Sequence, residues 1–213
     1  MARRMNQNHL PTIVLASRSP RRAALLRQMG IPFRIVSKDI PEEPVDRADP
    51  TEHVIELSRR KAKAVLDRVK EGIIIGADTV VCLDGEILGK PKDTDDATAM
   101  LMKLSGRTHE VFTGFTIIQV GDGDPFSDVE STSVTFRRLE SWEIDDYVQT
   151  GGPLDKAGGY GIQDRSGLFV DRIDGCFYNV VGFPLTKFYE GLKRIWDVDT
   201  LRRVMKGGGG VPV

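Results

Sequence analysis

Asp78 stands inside IIIGADTVVC (Ile73 to Cys82), a run otherwise apolar enough to be a core strand. An ionised carboxylate in such a place is costly unless a metal ion or a cation compensates it. Two readings meet that cost: a catalytic or metal-binding carboxylate, and a structural ion pair. Lys90 is the cation that sequence places nearby. A two-residue turn at Asp84 and Gly85 sets Lys90 opposite Thr79, whereas a three-residue turn with Gly85 as a bulge sets it opposite Asp78.

Arg21 and Arg22 fall in the first turn of a helix that Ser19 would cap and Pro20 would begin. The helix dipole disfavours cations there. An anion at this end resolves the conflict, with Ser17, Ser19 and the helix N–H groups completing a phosphate site; pairing with surface carboxylates resolves it as well. Lys61 continues the apolar stripe of Val54 and Leu57, so its stem is expected in the core and its ammonium at an opening. That placement suits a snorkelling lysine as well as a site lysine.

Glu42 and Glu43 lie in an acidic loop after a strand end, where oxygen ligands for magnesium or manganese are commonly found, although charged loops are also simply solvated. The segment Asp155 to Gly167 combines four glycines with Lys156, Tyr160 and Gln163. Glycines let a backbone approach a ligand closely, and a Gln amide can both donate to and accept from a base edge. His9, His53 and His109 lack zinc-ligand spacing, so no zinc is expected.

The elements that must position these residues follow from periodicity and turn chemistry. Thr12 to Ala16 and Phe33 to Ser37 read as strands, with the helix from Pro20 to about Gly30 between them. A helix is expected from Asp49 to about Lys70, a hairpin over Ile73 to Lys90 and a helix over Asp93 to Leu104. Long alternating strands are expected at His109 to Val120 and Asp128 to Arg138, then a helix from Ser141 to Thr150. Two short strands turning at Asp174 and Gly175 precede a last helix, Pro184 to Trp196. This order predicts one α/β domain with a mixed sheet covered by helices. Its boundaries are a flexible N-terminal extension at 1–11, the domain at 12–196 and a C-terminal tail at 197–213.

Thirty basic against thirty-one acidic residues give a net charge of −1. No global field recruits nucleic acid or an anionic membrane, so an anion site must be local. Cys82 and Cys176, the only cysteines, lie in apolar runs and read as buried small hydrophobes. No apolar run approaches transmembrane or signal-peptide length, and a soluble cytoplasmic protein is expected.

LASRSPRR (Leu15 to Arg22), GADTVV (Gly76 to Val81), GKP (Gly89 to Pro91), LSGRTHEVFTG (Leu104 to Gly114), DKAGGYGIQ (Asp155 to Gln163) and NVVGFPL (Asn179 to Leu185) together resemble the Maf family of nucleotide pyrophosphatases, in order, from about Leu15 to Trp196. The resemblance implies an elongated, inosine-triphosphatase-like mixed sheet. It implies a house-cleaning hydrolase that splits a nucleoside triphosphate into the monophosphate and pyrophosphate with Mg2+ or Mn2+. Asp78 matches the family's catalytic carboxylate, Arg21, Lys61 and Lys90 its phosphate contacts, and Ser17 its loop serine. Glu42, or its neighbour Glu43, would share the metal with Asp78. Arg21, Thr79 and Gln163 match the markers of the dTTP/UTP branch. A homodimer is also implied. Phe183, Cys176 and a longer acidic loop depart from the family pattern. The alternative from another class is a nucleotide-binding regulator of cell division without turnover.

Overall fold

The structure, a computed structural model, describes residues 10–40, 49–121 and 123–207. Seven strands form one sheet. They are β1 (Ile13–Leu15), β2 (Arg34–Ile35), β3 (Ile73–Leu83), β4 (Glu86–Leu88), β5 (Thr108–Gln119), β6 (Phe126–Phe136) and β7 (Val170–Asp174). The order is β2-β1-β3-β5-β6-β7, with β4 paired to β3. β1 runs parallel to β2 and β3, and every other pairing is antiparallel. The sheet is therefore mixed, as the order of elements predicted.

β3 is its axis. Strands covered on both faces need apolar side chains in both directions, which is why Ile73 to Leu83 reads as an almost unbroken run instead of an alternation. Ile73, Ile75 and Ala77 face a core built by α1 (Pro20–Gln28), α6 (Leu185–Ile195) and α7 (Val198–Gly207). Ile74 faces the other way, toward Ala62 of α2 (Pro50–Lys63) and Val65 beyond it. Farther along, Val81 and Leu83 pack with α3 (Thr94–Leu104) and α4 (Ser141–Val148).

α2 lies directly on the sheet because two glycines leave room for it. A Cβ at Gly76 would sit 2.1 Å from the Ser58 carbonyl oxygen, and one at Gly114 would sit 2.7 Å from the backbone of Val54. Ser58 and Thr116 join hydroxyls across this contact at 2.7 Å. The helix begins at the Asp49 cap, whose carboxylate accepts from Thr51 N–H at 2.8 Å, and it ends at Lys63, short of the expected Lys70.

Asp84 (φ 51°) and Gly85 (φ 83°) both occupy the left-handed region, so the hairpin has the two-residue turn, and Val81 pairs with Leu88. Two expectations fail. The segment after Gly175 is α5 (Phe177–Val181) instead of a second short strand. Its Asn179 amide donates to Val111 O and Thr132 Oγ1, tertiary bonds that override the strand preference of Val180 and Val181. Nor does the fold stop at Trp196. Asp197 accepts from Thr200 N–H at 2.7 Å and starts α7, which buries Leu201 and Val204. Residues 197–207 thus belong to the domain. No helix among the described residues is long and apolar enough to cross a membrane.

His109 is 2% exposed, edge-on to Phe136 and Tyr160, with Nε2 2.8 Å from the Tyr160 hydroxyl. Burial pulls its pKa down to about 4. A histidine depressed in this way stays neutral in the fold while the unfolded chain takes up a proton from an ordinary pKa of about 6.5. The unfolded state then binds more protons between those values, so stability is flat above about pH 6.5 and falls as pH drops toward 4. Going from about pH 7.5 to about pH 5.5 should cost roughly 1 kcal/mol from this residue. Urea unfolding of the wild type and His109→Gln at the two pH values checks this; an equal pH slope in both would exclude His109 as the source.

Candidate active site

The edge of β3 that faces away from β5 carries two strands with a gap between them. β1 ends at Leu15 opposite Ile75, where Ala16 N–H still donates to Ile75 O at 2.8 Å. β4 pairs only at Val81 to Leu83. Residues 76–80 therefore have neither strand beside them, and crevices at such breaks in an open sheet are where α/β proteins bind ligands. Asp78 and Thr79 occupy the break and, being adjacent in a strand, point to opposite faces. A cleft of about 560 Å³ opens there, lined among others by Ser17, Arg22, Lys61, Asp78, Thr79 and Lys90.

On the α2 side, Lys61 Nζ lies 2.6 Å from Asp78 Oδ1, and both side chains are largely buried. The contact follows from the fold: the helix rests on Gly76 through Ser58 and Ala62, which brings the next-door Lys61 over the carboxylate two residues along the strand. Lys90, favoured as the partner from sequence, lies in the same cleft just beyond the point where β4 stops pairing.

On the opposite side stands the start of α1. Ser19 caps it, its hydroxyl accepting from Arg22 N–H at 3.4 Å. Ser17 Oγ accepts from Ser19 N–H at 3.2 Å and from Arg22 Nη1 at 3.3 Å. The Arg22 side chain also donates through Nε to Gly182 O and through Nη2 to Thr79 Oγ1, both at 2.9 Å. It is 9% exposed. Arg21 turns the other way and donates to the Asp155 carboxylate at 2.9 Å. Burial works to raise the Asp155 carboxyl, but bonds from Lys156 and Arg21 outweigh it and hold the group below its ordinary range. The two arginines therefore split the two readings: Arg21 pairs with a carboxylate, and Arg22 is built into the floor.

The glycine-rich segment closes the third side. Gly158 N–H donates to Gly89 O at 2.9 Å, which ties the segment to the end of the hairpin. The buried Ser166 hydroxyl accepts from Gly161 N–H at 2.9 Å, and Gln163 reaches the cleft beside it.

Ser17, Arg21, Arg22, Lys61, Asp78, Thr79, Lys90 and Gln163 thus meet around one cavity. Glu42 and Glu43 lie outside the described residues. Among the described residues no group of three His, Cys, Asp or Glu side chains could hold a metal ion by itself. Sequence reading missed Asp155 as the partner of Arg21 and the Gly182 carbonyl as an acceptor for Arg22. The first carried a signal, a carboxylate opening a glycine-rich motif. The second is a backbone atom and carried none.

The Maf-like protein family profile matches residues 12–195. A dTTP/UTP pyrophosphatase of Thermoanaerobacter sp. (strain X514) is 45% identical over 190 residues, spanning 89% of this chain and 99% of that protein. Those of Carboxydothermus hydrogenoformans and Geobacter sp. (strain M21) are 46% and 47% identical over 85% and 86% of this chain, and 97% and 95% of their own lengths. Among solved structures, the Ham1 protein of Staphylococcus aureus aligns at a TM-score of 0.43 with 15% identity, over 59% of this chain and 71% of that one. With residues 12–195 matched by the profile and nearly the full length of these relatives covered, the chain belongs to the Maf-like protein family.

Proposed function

We infer that this chain is a nucleoside triphosphate pyrophosphatase that hydrolyses dTTP and UTP to the monophosphate and pyrophosphate. The observation that carries the chemistry is the buried Asp78–Lys61 pair at the break in the sheet, facing a wall of arginine. A ligand with several negative charges fits the cations, and the carboxylate is the base beside it. The relatives at 45–47% identity, each named a dTTP/UTP pyrophosphatase, supply the substrate.

In this reading Asp78 accepts a proton from the attacking water, and Lys61 holds the carboxylate in place across the 2.6 Å contact. Arg21, Arg22, Lys61 and Lys90 offset charge on the triphosphate and on the departing pyrophosphate, with Ser17 orienting Arg22. Thr79 and Gln163 line the same cavity and would contribute to the choice of nucleotide. No covalent intermediate is needed.

The residues present also fit a magnesium or manganese ion that arrives with the substrate. Such ions take oxygen ligands, commonly one or two carboxylates with phosphate oxygens supplying others, and Asp78 offers a hard oxygen at the cationic cleft. Asp78 would hold the ion, and Glu42, or its neighbour Glu43, is the second acid that the family resemblance implies. When bound, it supplies Lewis-acid polarisation of a phosphoryl oxygen.

Pyrophosphate release from dTTP, UTP, CTP and GTP with Mg2+ or Mn2+ tests this directly. Metal-dependent release from dTTP and UTP above the others is expected. Tight nucleotide binding without release would favour the regulator instead, and release from GTP alone would remove the branch assignment.

A further inference from the structure

Behind the cleft, the polar contacts of Arg22 continue into the sheet as a hydrogen-bond chain whose direction is fixed from both ends. Arg22 Nη2 can only donate, and it donates to Thr79 Oγ1 at 2.9 Å. Thr113 Oγ1 donates to the backbone carbonyl of Asn179 at 3.1 Å, which can only accept. The 2.9 Å contact between the two threonine hydroxyls must then run from Thr79 to Thr113, because each hydroxyl has one proton. Thr79 therefore presents lone pairs, and no proton, toward the guanidinium.

Thr113 is fully buried on β5. It governs two of the acceptors that hold Arg22. One is Thr79 Oγ1, whose proton it draws away from the arginine. The other is the carbonyl of Gly182, the C-cap residue of α5, whose N–H donates to Tyr178 O and Asn179 O; that helix is pinned to the sheet by Thr113 at the Asn179 carbonyl and by the Asn179 amide on Val111 O and Thr132 Oγ1. We propose that Thr113 is a positioning residue for the reaction: its hydroxyl sets the Arg22 guanidinium for the phosphates by polarising Thr79 and anchoring α5. This rests on the reading of the cleft as a nucleotide site.

The triphosphate carries its charge in the bound state as well as at the transition state, so a misplaced Arg22 weakens binding at both stages and shows in KM. Thr113→Val keeps the volume and deletes the hydroxyl, while Thr113→Ser keeps the hydroxyl and deletes the methyl. Steady-state kinetics with dTTP should give a KM about tenfold higher for Thr113→Val, with kcat changed by less than about threefold, and Thr113→Ser should restore KM. A packing role reverses that ranking, since Val fills the space that Ser leaves. In an Arg22→Lys background the planar fork is gone, and Thr113→Val should add little.

An unchanged KM in Thr113→Val, a greater loss in Thr113→Ser, or the same factor in both backgrounds would each overturn the proposal. A wild type that turns over no nucleotide ends the functional reading; the same two comparisons, made on the dTTP dissociation constant, then decide the role of Thr113 separately.

Discussion

Asp78→Asn lowers kcat for pyrophosphate release from dTTP by about 10² to 10⁴-fold, the span of a positioned general base, and leaves a folded protein. The substitution is close to isosteric, and the amide oxygen can still accept from Lys61 across the 2.6 Å contact. It loses the charge, hence the basicity, and the charge-assisted share of that bond, about 1 kcal/mol. Lys61 keeps some access to water, with 15% of its side chain exposed, so the uncompensated ammonium is not stranded as it would be in a sealed core. The kinetic pattern separates two roles. A base that acts in the chemical step depresses kcat at saturating substrate, whereas a carboxylate that merely holds Lys61 for the phosphates would show mainly in KM. Thermal unfolding of the same sample checks the fold, and near-normal kcat would remove Asp78 from the catalytic step.

Much of this site was legible in the sequence because its residues violate local rules. A carboxylate in IIIGADTVVC, cations in the first turn of a helix and a lysine on an apolar stripe are each wrong for their element unless something compensates them. The turn at Asp84 and Gly85 was legible for the same reason, since two left-handed residues in a row need that chemistry. What sequence could not rank was the partner of Asp78. Lys90 is near it along the hairpin, but the contact made by Lys61 depends on how a helix crosses the sheet, which is a tertiary fact. The division of labour between Arg21 and Arg22 was hidden likewise, because both acceptors, Asp155 and Gly182, come from far along the chain. α5 was misread because Val180 and Val181 favour strands and its determining bonds are long-range. α7 was missed although Asp197, Leu201 and Val204 have the spacing of a capped amphipathic helix; the glycine run that follows drew attention to the tail instead.

Gly76→Ala should damage stability and activity together, and the reason is the same crossing. Replacing a strand glycine by alanine ordinarily helps by about 0.5 to 1 kcal/mol through reduced chain entropy. Here the added methyl would lie 2.1 Å from Ser58 O, 2.9 Å from Ala62 N and 3.0 Å from Ala62 Cβ. The first two are backbone atoms that no rotamer change can move, so the helix itself must lift. Overpacking of this kind costs about 1 to 3 kcal/mol and occasionally more, which outweighs the entropy gain. A net loss of about 2 kcal/mol would lower the thermal midpoint by roughly 4 to 8 °C in a domain of this size. Lifting α2 also draws Lys61 away from Asp78, so turnover should fall even well below the unfolding temperature. Gly89→Ala is the control for stability: a Cβ there meets no atom within 4 Å, and the midpoint should hardly move. If Gly76→Ala melted with the wild type, the helix would have another way to sit on the sheet. If it melted early yet kept full activity in the cold, the Lys61–Asp78 contact would not depend on the crossing that this glycine allows.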